Sequence, residues 1–193
     1  MTDTIDPSTT ALLVMDYQPS ILGFLGDPGP LVDVAETAVK LVRGRGGQVG
    51  FVRVAFTDED YAAFPASSMM GNRVKAARPG MDAGSPTTRI HPRLDAEPED
   101  IVVRKTRVGA FSTTNLHEQL TSAGMTTLVL AGVHTSGVVL TTVREAHDLD
   151  YAVVVVADAC ADPDPEVHDL LVTKIFPKQG RVTNASELPD LFG

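Results

Sequence analysis

Short apolar runs alternate with amphipathic segments along most of the chain. The apolar runs predict six strands, at 10–17, 48–56, 100–108, 126–133, 151–160 and 181–186. Apolar residues at helical spacing predict four helices between them, at 29–46, 112–124, 136–150 and 164–176. Continuous apolar strands that alternate with such helices are typical of a parallel sheet covered on both faces. We therefore predict an α/β protein built in three layers, α/β/α.

One segment, 57–99, lacks this periodicity. It contains five prolines and three methionines among many small polar residues. A loop of this length in a compact domain is commonly functional. We expect it to pass over the active-site edge of the sheet and to contain one short helix near 68–77. Neither a second domain nor a repeat is visible, so residues 1–193 are predicted to form a single domain.

The composition limits which partners and which cellular compartment we expect for this protein. The net charge of −9 argues against nucleic acid or an anionic membrane surface as a partner, because both attract basic patches. The one cysteine, Cys160, excludes an internal disulfide and a zinc site with several thiolates. Neither a signal-like N-terminus nor an apolar run near the ~20 residues of a membrane helix is visible. We therefore expect a soluble, cytoplasmic protein.

Candidate chemistry lies where three strands end. Parallel α/β sheets bind ligands beyond the carboxyl ends of their strands. Asp16 follows the first strand, Lys105 ends the third among other basic residues, and the turn VHTSGV follows the fourth. Alone, Asp16 would commonly be a cap and Lys105 a solvated lysine. Together at one edge they predict an acid–base pair, in which lysine favours the ionised carboxylate and a dry pocket opposes it.

Cofactor and metal motifs are missing. Neither a GxGxxG sequence nor a P-loop follows a strand, so we predict no nucleotide and no other cofactor. The five histidines are scattered without ligand spacing, so we predict no metal site. His117 and His147 are expected on the surface of helices. His134 differs, because its place in the turn predicts that it lines the pocket.

Three blocks of sequence together resemble the isochorismatase-like hydrolase superfamily, also called the cysteine hydrolase family. The blocks are LLVMDYQ, DIVVRKTRVGAF and LVLAGVHTSGVVLTTVREAHDLDY, and the likeness runs over nearly the whole chain. The resemblance implies an isochorismatase-like, Rossmann-type fold whose six parallel strands have the order 3-2-1-4-5-6. It also implies a small-molecule substrate and a homo-oligomer.

Within that family, amide hydrolases use an Asp–Lys–Cys triad. The aspartate takes the thiol proton, the cysteine attacks the carbonyl carbon, and the lysine supports the charge. Asp16 and Lys105 match the first two positions, whereas Val138 occupies the cysteine position. The resemblance also suggests a cis peptide bond between Val133 and His134. Further pocket-lining residues are expected to be Gln18, Phe24, Phe56, Phe111, His134 and Thr135.

A valine cannot form a covalent intermediate, which leaves several functions open. Isochorismatases carry glycine at this position and protonate a vinyl ether with the aspartate, after which water attacks the cation. Asp16 and Lys105 predict related chemistry, although Val138 is larger than glycine and the turn Val-His-Thr differs from their Tyr-Ala-His type. The alternatives are an inactive member that binds a small molecule or assembles, and an engineered Cys-to-Val amidase. Cys160 is expected to be a buried structural residue.

Overall fold

The six apolar runs form one parallel sheet in the computed structural model, which describes residues 4–192. Its order is β3-β2-β1-β4-β5-β6, and every neighbouring pair is parallel. The predicted fold class and strand order are therefore confirmed. The strands are β1 (Thr10–Met15), β2 (Gln48–Val54), β3 (Ile101–Lys105), β4 (Thr127–Val133), β5 (Ala152–Ala161) and β6 (Arg181–Thr183).

Seven α-helices are present in the described part of the chain. They are α1 (Pro19–Leu22), α2 (Gly29–Gly44), α3 (Asp58–Ala62), α4 (Met69–Ala76), α5 (Leu116–Ser122), α6 (Leu140–Asp148) and α7 (Pro165–Leu170). Among these residues, no helix is both long and apolar enough to cross a lipid bilayer.

Side chains of the central strand point alternately into two apolar layers. Leu13 and Met15 of β1 pack into one layer, which also receives residues of α5 and α6. Leu12 and Val14 pack into the other, together with the buried face of α2. This alternation follows from the two-residue period of a strand. The sheet is thus covered on both faces, as the strand pattern predicted.

Several predicted helices and strands are longer than the observed ones. The 112–124 helix begins only at Leu116, because Thr114 first forms a turn in which its Oγ1 donates to the carbonyl of Ala110. The predicted 136–150 helix begins as a π-helical turn, Thr135–Val139, and is α-helical only over Leu140–Asp148. The third strand ends at Lys105 rather than 108, because the chain leaves the sheet there. Apolar periodicity does not encode these local turns.

The 57–99 segment contains two α-helices rather than one. The expected helix near 68–77 is present as α4, but α3 was missed. The sequence does contain a sign of α3, the capping box of Thr57 and Asp60. In it the side chain of each residue accepts a hydrogen bond from the backbone N–H of the other. A small cluster of buried side chains, including Phe56 and Met81, holds the segment against the sheet.

Candidate active site

Asp16 and Lys105 form a buried ion pair at the carboxyl ends of β1 and β3. Lys105 Nζ lies 2.8 Å from Asp16 Oδ2, and the side chains are 3% and 7% exposed. The backbone of Asp16 has a φ of 60°, in the left-handed region that aspartate enters more readily than most residues. Its N–H donates to the carbonyl of Val52 in β2, so the carboxyl group is fixed at the sheet edge.

Lys105 has no donor left over. An ammonium group has three N–H donors. One faces Asp16, and the others donate to the carbonyls of Arg107 and Val108, at 3.2 and 2.9 Å. The lysine is therefore held as a fixed positive charge beside the carboxylate.

The two oxygens of Asp16 have different surroundings. Oδ2 accepts from Lys105, whereas Oδ1 is buried without a hydrogen-bond partner among the described residues. Burial raises the pKa of Asp16 above its usual value, and the positive charge of Lys105 opposes that rise. Oδ1 is thus the atom of the pair at which a proton can be held or released.

A cavity of about 230 Å³ opens above this pair. Its polar wall consists of Asp16, Lys105, Arg107 and His134. Apolar residues form most of the remaining wall, namely Ile21, Val54, Met70, Val74, Met81, Val108, Val133 and Val138. The 57–99 segment supplies three of them, so it covers the active-site edge as expected. The wall contains no thiol or hydroxyl group among the residues described.

The turn after β4 brings Val138 to the same cavity. The peptide bond between Val133 and His134 is cis, as the resemblance suggested. The carbonyl of His134 accepts from the N–H groups of Gly137 and Val139, at 3.1 and 3.3 Å. Val138 is 2% exposed and contributes its methyl groups to the wall. The structure therefore brings together Asp16, Lys105 and Val138, with His134 beside them.

Five other predicted pocket residues do not lie on the cavity wall, which corrects that expectation. Gln18 is buried and ties β2 to the 57–99 segment, because its amide bonds both Val54 and the carbonyl of Thr88. Thr135 is buried against Nδ1 of His168, at 2.8 Å. Both polar side chains are occupied by structural hydrogen bonds.

The three phenylalanines are also placed elsewhere. Phe24 is 65% exposed and meets His134 edge-on, at 5.9 Å between ring centroids. Phe56 is buried against aromatic residues of the 57–99 segment. Phe111 stacks on Tyr151. Aromatic packing rather than the cavity determines where the last two rings lie.

Sequence reasoning missed Arg107, which lies on the cavity wall. Its position two residues after Lys105, in KTRV, was the available signal.

The sequence also gave no sign of the contacts that hold the loop after Lys105, residues 106–111. Thr142 Oγ1 accepts from the N–H of Ala110 at 3.2 Å, and Glu145 accepts from the N–H of Phe111 at 3.3 Å. Helix α6 therefore fixes the loop whose carbonyls bind Lys105.

The remaining chemically capable side chains lie away from the cavity wall. Cys160 is buried in the apolar core, and burial raises the pKa of its thiol to about 12. His147 is exposed, and His117 is half-buried on α5, where its Nδ1 lies 3.0 Å from the hydroxyl of Tyr151. Among residues 4–192, no three His, Cys, Asp or Glu side chains group in a way that could hold a metal ion.

The chain matches one family of known proteins over most of its length. The model of the isochorismatase domain matches residues 10–187, and the chain belongs to that family. The isochorismatase family protein YecD of Escherichia coli O157:H7 is 34% identical over 194 residues, 95% of this chain and 96% of that protein. YwoC, an isochorismatase family protein of Bacillus subtilis, is 31% identical over 183 residues, which cover 95% of this chain and 94% of that protein.

A solved structure agrees over the whole fold. An isochorismatase family protein from Burkholderia thailandensis superimposes with a TM-score of 0.84 at 30% identity. The match covers 98% of this chain and 97% of that one.

Proposed function

We propose that this isochorismatase-family hydrolase acts on a small organic substrate by acid–base chemistry at Asp16, without a covalent step at position 138. One observation carries the proposal: in the buried carboxyl group of Asp16, a residue of the cavity wall, one oxygen pairs with Lys105 and the other has no hydrogen-bond partner among residues 4–192. A carboxyl group with a raised pKa can serve as a proton donor. The proposal takes Val138 to occupy the family's cysteine position.

A vinyl ether is the substrate type that fits this arrangement. Asp16 delivers its proton to the terminal carbon, and the C=C electron pair forms the new C–H bond. Positive charge then spreads over the other carbon and the ether oxygen. Lys105 stabilises the carboxylate left on Asp16. Water adds to the cationic carbon and returns a proton to Asp16. The adduct then breaks its bond to the ether oxygen while its hydroxyl proton passes to that oxygen, which gives a carbonyl compound and an alcohol.

The absence of a nucleophile at the described cavity wall argues against the covalent route. Val138 has no group that can attack a carbonyl, and Cys160 is buried in the core with a strongly raised thiol pKa.

A hydrolase among the relatives supports hydrolysis as the type of reaction. The ureidoacrylate amidohydrolase RutB of Methylobacterium radiotolerans is 29% identical over 211 residues, 98% of this chain and 81% of that protein.

A binding protein without turnover is the second candidate. It is favoured by Lys105, whose three donors are all occupied, and by the methyl groups of Val138 in the cavity. A probable inactive nicotinamidase of Arabidopsis thaliana is 47% identical over 73 residues, 37% of each chain. The two candidates differ in one measurable property, since the binding protein turns nothing over.

A turnover screen distinguishes them. Vinyl ethers, amides and carbamoyl compounds are incubated with the wild-type protein and with Asp16→Asn, and products are quantified by mass spectrometry. The proposal predicts hydrolysis of vinyl ethers that depends on Asp16, with no mass adduct on the intact protein. Hydrolysis of amides through a covalent adduct would refute it, and no turnover across the screen would favour the binding protein.

A further inference from the structure

We propose that Arg107 makes this cavity selective for a substrate that carries one carboxylate group. The inference rests on the proposed function, because it names the substrate class of the same site. Arg107 takes no part in the acid–base step, but its positive charge is left uncompensated on the cavity wall.

Asp16, Lys105 and Arg107 are the acidic and basic side chains of the wall besides His134. Asp16 and Lys105 neutralise each other at 2.8 Å, and the other two lysine donors are held by backbone carbonyls. No carboxylate of residues 4–192 compensates the guanidinium charge of Arg107 in this way. The wall therefore favours an anion, although the whole protein carries a net charge of −9.

Most of the donors of Arg107 are free to meet a ligand. Its Nη1 donates to the carbonyl of Thr106 at 2.7 Å, and no carboxylate in the described part of the chain forms an ion pair with it. A guanidinium group has five N–H donors. Its carbon lies 4.2 Å from the centroid of the Phe64 ring, and this stacking fixes the plane of the fork.

The same residue connects the anion site to the acid. The carbonyl of Arg107 accepts from Lys105, and Arg107 itself is a residue of the cavity wall. A substrate held through its carboxylate by Arg107 is thereby bound in the cavity whose wall includes Asp16. Holding the carboxylate at Arg107 restricts the orientation of the substrate towards Asp16, and such positioning lowers a reaction barrier.

A carboxylate fits this site better than a phosphate group. The cavity of about 230 Å³ is small beside the ~300–1,000 Å³ of ordinary ligand pockets, and its wall is mostly apolar. One guanidinium compensates one negative charge. A phosphate dianion would leave a second charge unpaired beside Asp16. The geometry thus indicates a small monocarboxylate with an apolar body.

Binding of matched neutral and anionic probes tests the inference without requiring turnover. Benzoate and benzamide have nearly the same shape, and their dissociation constants are measured by isothermal titration calorimetry. The wild-type protein is expected to bind benzoate about tenfold more tightly, as a charge-assisted hydrogen bond allows. Arg107→Gln is expected to remove that preference. Arg181→Gln, which removes an exposed arginine from β6 at the far edge of the sheet, is the matched control and should retain it.

Asp16→Asn separates this inference from the proposed function. It should abolish turnover while binding benzoate at least as tightly as wild type, because a neighbouring negative charge is removed. If the screen shows Asp16-dependent turnover but no preference for the acid, the inference fails and the proposed function stands. If benzoate is preferred through Arg107 but nothing is turned over, the proposed function fails and the anion site stands.

Four results would overturn the inference. They are failure of benzoate to bind, equal binding of benzoate and benzamide, a preference that survives Arg107→Gln, and displacement of benzoate by an equal concentration of inorganic phosphate. Circular dichroism verifies that each variant is folded. Because Arg107 is only half-buried and makes a single hydrogen bond to a neighbouring carbonyl, its replacement by glutamine should leave the fold intact.

Discussion

At the level of single residues, the site depends on two opposing effects on the pKa of one carboxyl group, that of Asp16. Burial favours the protonated form of Asp16, and Lys105 favours the ionised form. Both residues were predicted from their places at strand ends, since parallel strands deliver those ends to one edge. Arg107 was not predicted, because the sequence gives the charge of a basic residue after a strand but not whether that residue lines a cavity.

Lys105→Met should raise the pKa of Asp16 further, because it removes the charge that lowers that pKa. A raised folded-state pKa gives stability that is full at low pH and is lost as pH rises through that pKa. The free energy of unfolding of the variant should therefore fall more than that of wild type between acidic and neutral pH. Urea denaturation across this range and carboxyl ¹³C titration measure both effects.

Lys40→Met is the control for that variant. Lys40 is exposed and, within residues 4–192, pairs with Glu36 on its own helix alone, so its loss should leave the Asp16 titration unchanged. An Asp16 pKa that stays the same or falls in Lys105→Met would mean that the pair does not act as described.

Val138→Cys should create a thiol that reacts with iodoacetamide faster than Cys160. The new thiol would share the cavity with Lys105, whose positive charge favours a thiolate, although Asp16 opposes it. Cys160 lies in the core with a thiol pKa of about 12. The loss of one methyl-sized volume should cost only about 1 kcal/mol. Time-resolved mass spectrometry of alkylated peptides measures the two rates. Equal rates would place the nucleophile position elsewhere.

At the scale of elements, the interior of each strand and helix could be predicted, but its ends could not. Apolar periodicity reflects burial, which extends over whole elements. Ends depend on single hydrogen bonds, such as that of Thr114, which delays α5 until Leu116. The helix α4 and the passage of the 57–99 segment over the active-site edge were predicted, but the side chains of α4 that line the cavity were not, because they depend on how the segment folds back over the sheet.

Thr142→Val should weaken the loop that holds Lys105. The variant keeps the side-chain shape but leaves the buried N–H of Ala110 without its acceptor, at a cost of about 1–3 kcal/mol. We expect lower stability by urea denaturation and a lower kcat. Thr37→Val on α2 is the matched control, because that hydroxyl is exposed and donates to a carbonyl one turn back. Comparable losses in both variants would remove the special role of Thr142.

At the scale of the whole molecule, the strand order followed from alternating elements and from the family resemblance, and it is confirmed. Substrate identity was not accessible, because a few side chains in one cavity determine it rather than the fold. Assembly into a homo-oligomer stays a prediction. The two apolar layers on the sheet explain why a site with an unpartnered carboxyl oxygen is tolerated, since the stability of the domain comes from elsewhere.

Leu130→Ala should show how much of that stability lies in the central sheet. Leu130 of β4 is completely buried, so its truncation should lower the free energy of unfolding by about 2–5 kcal/mol. Leu170→Ala on α7 removes the same atoms from an exposed side chain and should cost far less. Urea denaturation of both variants gives the comparison. Similar values would mean that the layer around Leu130 is not the main source of stability.

The most direct test of the account is the pH dependence of kcat/KM for vinyl ether hydrolysis, measured for wild type and Asp16→Asn. A proton donor must be protonated, so wild-type activity should fall as pH rises through the raised pKa of Asp16. Asp16→Asn should lose at least about 100-fold at every pH, whereas Asp148→Asn on the exposed face of α6 should not. Activity that rises with pH through this range, or that survives in Asp16→Asn, would contradict acid catalysis by Asp16.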